Sequence, residues 1–466
     1  MIARHRRGAG WLLPPAVPAL VALLVLGCAG RTGAERTGTG ALPDRRTGDA
    51  ALGFDAAAFY RQAGLLAAGA PVPFVGTVHF LSSGNADSTL LLVGVSLPSA
   101  SLTFAREDDR YRAGYEIRAV LRQGGAPVRE VSAREQVRVG TFPETARADE
   151  SVIFQEFVGL APGPYELELI VRDLESARTG VSEASLTVPR LGPGNLSSPV
   201  VVHDAEARIS MDAAPDLIAS PRATGIFGRD SVITVYVEAY HGDSTVPLLL
   251  EVLGDRGASL YRDTVAFASI GALFSGTVAL PVARLGIGAS RLTVRRTDTG
   301  ESSSTPIIVG FGDDLPLVTF DQMLEYLQFY ASAFRLRSLR DGTLEDRARL
   351  WGEFLDQTDP DPMTPEHEGL HVYFRRIAYA NVRFREEGSL GWRSDRGMVY
   401  VSFGEPDQVI EQTRSELSGR GRMQIWEYRQ HRLQLLFVDQ TGFGRWRLST
   451  SSEAEFRSAL ARTRER

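Results

Sequence analysis

The chain has 466 residues, a net charge of −6, and a composition that is 43% hydrophobic and 23% charged, the balance of a globular protein long enough for about three domains. All 51 basic residues are arginine, so the lysine required by a Walker-type phosphate loop, a Schiff base or a Ser-Lys dyad is missing. The weakly acidic balance supplies no basic field for nucleic acid.

Arg4, His5, Arg6 and Arg7 open the chain, an apolar run follows from Trp11 to Leu26, and Gly27-Cys28 ends it. The run falls short of the roughly 20 apolar residues of a spanning helix, and Pro14, Pro15 and Pro18 interrupt it. Residues 1–27 therefore read as a secretory signal peptide. Cys28 is the only cysteine. Its place after Val25-Leu26-Gly27 resembles a bacterial lipoprotein cleavage site, with Leu26 where a smaller residue is usual. The resemblance implies lipidation of Cys28, export, and anchoring to a membrane of the cell envelope. Ala29, in place of an aspartate, points to the outer membrane. With Cys28 lipidated or removed, the mature chain holds no disulfide and no thiol nucleophile. Residues 28–53, rich in Gly, Thr, Arg and Ala without apolar period, read as a flexible tether.

Residues 54–190 read as a first β-sandwich with a short leading helix over 54–68. Short apolar runs such as Phe74–Phe80, Thr89–Val95, Tyr115–Leu121, Val152–Phe157 and Tyr165–Val171 are bounded by turn residues, the texture of a sandwich. Gly159-Leu160-Ala161-Pro162-Gly163-Pro164-Tyr165 resembles the turn-and-strand entry near the end of immunoglobulin-like and fibronectin-like domains. After a linker at Leu191–Asn195, residues 196–310 repeat the texture without a residue-level repeat and read as a second sandwich.

From 313 to 450 the pattern predicts an α+β domain, helices first and an antiparallel sheet after, with a helical tail over 451–466. Helical spacing covers Phe320–Arg340 and Thr343–Leu355. Thr364-Pro365 reads as an N-cap and first-turn pair for a third helix running to about Glu387. Strands are expected at Met398–Phe403, Met423–Tyr428, Leu433–Val438 and Arg445–Ser449. The fold class is thus multidomain: immunoglobulin- or fibronectin-like all-β sandwiches, then an α+β domain.

Two segments of this last part invite chemistry. His367-Glu368-Gly369-Leu370-His371 is a literal HExxH, which on a helix can hold zinc with the glutamate as general base. Against it, Pro365 puts His367 in the first helical turn, Gly369 weakens the helix, and no third ligand is announced. No metal or cofactor is therefore assigned to His367, Glu368 and His371. The second segment is Gly391-Trp392-Arg393-Ser394-Asp395-Arg396-Gly397, followed by Gly404-Glu405-Pro406-Asp407. Its bland reading is a buried tryptophan with turns on either side of a strand. Its functional reading is a pocket lined by Asp395, Arg396, Glu405 and Asp407, with Arg375 and Arg376 as an anion clamp.

Residues 351–448 resemble the GWxTD domain of exported bacterial proteins. The likeness runs through Asp359-Pro360, Thr364-Pro365, Arg375–Asn381, Phe384, Gly391–Gly397, Tyr400-Val401, Gly404–Asp407, Trp426, Tyr428, Phe437 and Asp439. Ser394 stands in place of the eponymous threonine and keeps the hydroxyl. The resemblance implies export behind upstream β-domains and transfers no catalytic residue. The expected function is an envelope lipoprotein that binds or scaffolds, with the membrane and an envelope protein as partners. The competing class is an extracytoplasmic hydrolase, as a zinc peptidase through His367 and His371.

Overall fold

The computed structural model describes residues 53–146, 151–240, 245–254, 257–268, 272–312, 315–364, 367–386, 389–413 and 422–464. The expected signal peptide, Cys28 and the expected tether up to residue 52 lie outside the described residues, as does Pro365.

Helix α1 (Ala56–Ala63) is capped by Asp55, whose carboxylate accepts from Ala58 N, and ends at Gly64 with φ +97. The first sandwich follows: β1 (Leu66–Ala68), β2 (Phe74–Ser82), β3 (Thr89–Pro98), β4 (Ala105–Glu107), β5 (Arg110–Gln123), β6 (Ala126–Val139), β7 (Ser151–Leu160), β8 (Gly163–Asp173) and β9 (Thr179–Val188). One sheet runs β1-β2-β3-β7; the other runs β5-β8-β9, with β4 and β6 both paired to β5. Leu91, Val93 and Val95 of β3 meet Ile117, Leu121, Leu167 and Leu169 across the core. At the β7–β8 corner Tyr165 Oη donates to Ala161 O at 3.0 Å, the tyrosine corner of immunoglobulin-like sandwiches.

The second sandwich is built from β10 (Val200–Ala205), β11 (Leu217–Ala219), β12 (Thr224–Ile226), β13 (Val232–Tyr240), β14 (Thr245–Leu253), β15 (Ser259–Ala268), β16 (Leu273–Pro281), β17 (Gly288–Arg296) and β18 (Ser302–Gly310). Its sheets run β11-β10-β13-β16 and β12-β18-β17-β14-β15. Apart from the added strands, β10-β13-β16 reproduces β2-β3-β7, and β15-β14-β17-β18 reproduces β6-β5-β8-β9. The two sandwiches share one topology without a shared residue pattern.

They also share a wall. Leu90–Val95 does not alternate in polarity, because β3 is covered on both faces: Leu91 and Val93 point into their own core, whereas Leu92 joins Leu81, Val200, Val202, Ala219 and Tyr236 between the sandwiches. Gln155 of β7 donates to Leu217 O at 2.6 Å and accepts from Ala219 N at 2.9 Å. At the centre of this joint is an ion pair, Arg208–Glu238, with side chains 2% and 0% exposed. Arg208 Nη1 donates to Glu238 Oε2 at 3.2 Å and to Ser82 O at 2.9 Å, while the hydroxyls of Tyr236 and Tyr240 donate to the same carboxylate. Every strong acceptor site is thereby used, which a buried charge requires.

The C-terminal part comprises α2 (Phe320–Tyr326), α3 (Ala333–Asp341), α4 (Arg347–Thr358), α5 (Glu368–Arg383), α6 (Asp395–Phe403), an antiparallel meander of β19 (Gln408–Thr413), β20 (Arg422–Tyr428), β21 (Leu433–Asp439) and β22 (Arg447–Leu448), and α7 (Thr450–Arg464). Its core is continuous with that of the second sandwich. Trp351, fully buried, donates its indole N–H to Phe311 O at 2.7 Å and packs edge-on against the Phe311 ring.

Three expectations are corrected here. The helix expected over Phe320–Arg340 is two, because Ser332 caps a new helix by accepting from Arg335 N. The third helix starts at Glu368, with His367 rather than Thr364 as N-cap. Met398–Phe403 is helix, not strand: Val399, Tyr400, Val401 and Phe403 are all buried, so burial on several sides overrides the β-propensity of their side chains.

Candidate functional site

The motif block is the joint between α5 and α6. Gly391 and Gly397 are dictated by space: a Cβ on Gly391 would lie 2.0 Å from Ala380 O, and one on Gly397 would lie 1.9 Å from Gly391 O. Gly397 thus serves close packing in the first turn of α6 rather than a positive φ before a strand. Trp392 donates its backbone N–H to Asn381 Oδ1 at 3.0 Å, and its ring, 1% exposed, packs against Tyr326 and Phe329. Ser394 is the N-cap of α6: its Oγ accepts from Gly397 N at 3.1 Å and donates to Gly391 O at 2.7 Å. Both bonds need only a hydroxyl, so serine substitutes for threonine at this position.

Asp395 lies in the first turn of α6, where a carboxylate is favoured by the helix dipole. Its Oδ2 accepts from Leu448 N at 2.7 Å and ties the helix to β22. Arg447 stands between Asp395 and the buried Glu386, which accepts from Trp446 N at 3.2 Å. Arg396 is sandwiched between the rings of Phe384 and Trp446, at 5.3 and 4.9 Å from their centroids. Burial pulls its guanidinium down to about 10.

The other expected site residues sit at the far end of α6, about 13 Å away for a nine-residue helix. Gly404 has φ +82, and the Arg376 guanidinium lies within 2.9 Å of where its Cβ would be. Arg376 Nη1 reaches Val401 O at 3.5 Å, placing a cation at the C-terminal end of the helix. Tyr428 Oη donates to Gly404 O at 3.0 Å, and Asp407 Oδ2 accepts from Arg429 N at 2.7 Å. Arg375 is half-buried, and its Nε has no hydrogen-bond partner among the described residues. Glu405 is exposed. The structure therefore splits the proposed pocket in two: Asp395 and Arg396 at one end of α6, Arg376, Glu405 and Asp407 at the other.

His367 and His371 are not presented as a pair on one helical face. His367 stands outside α5, its Nδ1 accepting from Leu370 N at 3.2 Å and its Nε2 bonded to Thr358 Oγ1 at 3.0 Å. Burial pulls its imidazole below the usual range. Glu368 is bonded to Thr364 Oγ1. Among the described residues, no group of three or more His, Cys, Asp or Glu side chains is placed to hold a metal ion.

Sequence reasoning gave no role to Asp439, although it falls within the likeness. Fully buried at the end of β21, it accepts from the backbone of Thr441, Gly442 and Gly444 and from Arg422. Burial pushes its carboxyl up, but these donors outweigh it and hold the group below the usual range. The signal was Asp439 followed by Thr441-Gly442-Phe443-Gly444, an Asx-type turn.

Residues 296–442 match the family model of the GWxTD domain. The match starts inside the last strand pair of the second sandwich, upstream of the expected 351, in keeping with the continuous core. A search of curated proteins finds no match. Among solved structures, the chain is similar to dimeric latent PorU from Porphyromonas gingivalis, with 11% identity, a TM-score of 0.24, and coverage of 50% of this chain and 20% of that one. It is also similar to the fibronectin(III)-like modules of Clostridium thermocellum CbhA (11% identity, TM-score 0.12, 47% and 85% covered). A third likeness is to the FN1–FN3 domains of chicken CNTN1 (8% identity, TM-score 0.13, 53% and 98% covered). The chain spans about a fifth of the PorU chain. The sandwich assignment rests on the strand order itself, and the motif on the geometry above: the C-terminal part of this chain, residues 296–442, carries a GWxTD domain.

Proposed function

We propose that this chain is a lipid-anchored protein of the cell envelope, in which two fused β-sandwiches brace a GWxTD domain that binds a partner rather than catalyses a reaction. One observation carries the second half of this reading. Four of the residues that could do chemistry are spent inside the chain: Ser394 on the α6 cap, Asp395 on Leu448 N, Asp407 on Arg429 N, and His367 on Leu370 N and Thr358. The first half rests on the basic start, the apolar run and Cys28. A single acyl chain binds membranes only marginally, so stable anchoring at Cys28 requires more than one.

Fractionation of cells making the native chain or Cys28→Ser tests the anchor. The native chain is expected with membranes and the variant released or unprocessed; an unchanged membrane fraction refutes the anchor. Zinc-supplemented peptide hydrolysis by purified chain tests the binding role. Hydrolysis that disappears in His367→Asn would replace this reading with a peptidase.

A further inference from the structure

A cleft of about 170 Å³ opens where the turn between α1 and β1, β2 and the β17–β18 pair meet. Its floor is buried: Thr77 Oγ1 and His79 Nε2 are bonded at 2.8 Å, and both residues are 5% exposed. Its mouth is exposed and holds Arg291, which donates to Ser304 Oγ at 3.4 Å and to no carboxylate among the described residues. No aspartate or glutamate lines the cleft, so Arg291 is its formal charge. Ser198 and Ser304 line the same space, and Leu65 and Pro306 supply apolar wall.

We propose that this cleft binds a small hydroxycarboxylate. The guanidinium at the mouth takes the carboxylate, since charge-assisted bonds to arginine are strong and directional. The Ser198 and Ser304 hydroxyls take the ligand hydroxyl, and the apolar wall takes the carbon skeleton. Thr77 and His79 satisfy each other and close the floor without adding charge. A cavity of about 150 Å³ takes a six-carbon ring such as benzene, so this one fits an acid of roughly six or seven non-hydrogen atoms. Because the walls come from both sandwiches and the turn after α1, an occupant braces the joint and stabilises the fold by mass action.

The test is thermal unfolding of the purified chain at pH 7.5 with lactate, glycerate, acetate or inorganic phosphate. Lactate or glycerate is expected to raise the melting temperature saturably, and acetate far less. Arg291→Gln should weaken the effect about tenfold, and Ser304→Leu, which fills the exposed mouth, should abolish it at unchanged ligand-free melting temperature. No saturable shift with either hydroxyacid, an equal shift in both variants, or a shift with phosphate alone overturns the proposal. Neither the anchor nor the peptidase test depends on this result.

Discussion

His79 makes the joint between the sandwiches sensitive to acid. It is 5% exposed and bonded through Nε2 to Thr77, and its ring is hydrogen-bonded to the Pro199 backbone. Burial lowers its imidazole to about 4, and the bond to Pro199 only partly offsets this. The unfolded chain carries an ordinary histidine near 6.5. Between these values the unfolded chain binds a proton that the folded chain refuses. The contribution is therefore complete above about pH 6.5, declines by about 1.4 kcal/mol per pH unit as acid is added, and levels off below about pH 4. From pH 7.5 to 5.0 the loss is about 2 kcal/mol. Few carboxylates titrate in that window, but His203 and His367 are also lowered by burial, so the native chain alone is not diagnostic. His79→Gln isolates the effect, because glutamine can accept from Thr77 and donate to Pro199 O without titrating. Urea unfolding followed by tryptophan fluorescence should show the native chain losing about 2 kcal/mol more than His79→Gln between pH 7.5 and 5.0. Parallel pH dependences, or a steeper loss in the variant, would refute the reasoning.

Glu238→Gln leaves Arg208 buried beside a neutral amide, and a loss of about 3–5 kcal/mol is expected in chemical unfolding, with the sandwich transitions separating. Ser394→Thr should unfold within about 0.5 kcal/mol of the native chain, whereas Ser394→Ala should lose about 1 kcal/mol or more with the cap. Gly391→Ala forces a Cβ onto Ala380 O and should prevent native packing of α5 on α6, read as a collapse of near-UV circular dichroism. Trp392→Ala should cost about 3–5 kcal/mol, the range for a core aromatic truncation, and lower the melting temperature accordingly. A fragment starting at residue 313 lacks Phe311, the acceptor of Trp351; it should melt below a fragment starting at residue 296, and equal melting would argue against the continuous core.

The one-dimensional pattern was enough for the larger divisions. Apolar runs punctuated by Gly, Pro, Asn and Asp can bury their faces only as sandwiches, and 3.6-residue spacing after residue 315 can bury its stripe only as helices. The motif glycines and Trp392 were legible as costly residues, because close backbone approach and a buried indole leave few substitutes. Short elements were not legible where packing outvotes propensity: Val399-Tyr400-Val401 reads as strand, yet lies in a helix held by Ser394, Asn381 and Arg376.

Sequence alone determined the basic start, the apolar run with its single cysteine, the order of β and α parts, and the HExxH spelling. Tertiary structure alone decided that Arg208 meets Glu238, that β3 is covered on both faces, and that His367 caps a helix end with both ring nitrogens engaged. The reason is physical. Periodicity and turn chemistry act over a few residues and are written locally in the chain. The partner of a buried charge and the second face of a strand depend on segments brought together from tens of positions apart, as Arg208 and Glu238 are, or from well over a hundred, as Ser82 and Tyr240 are.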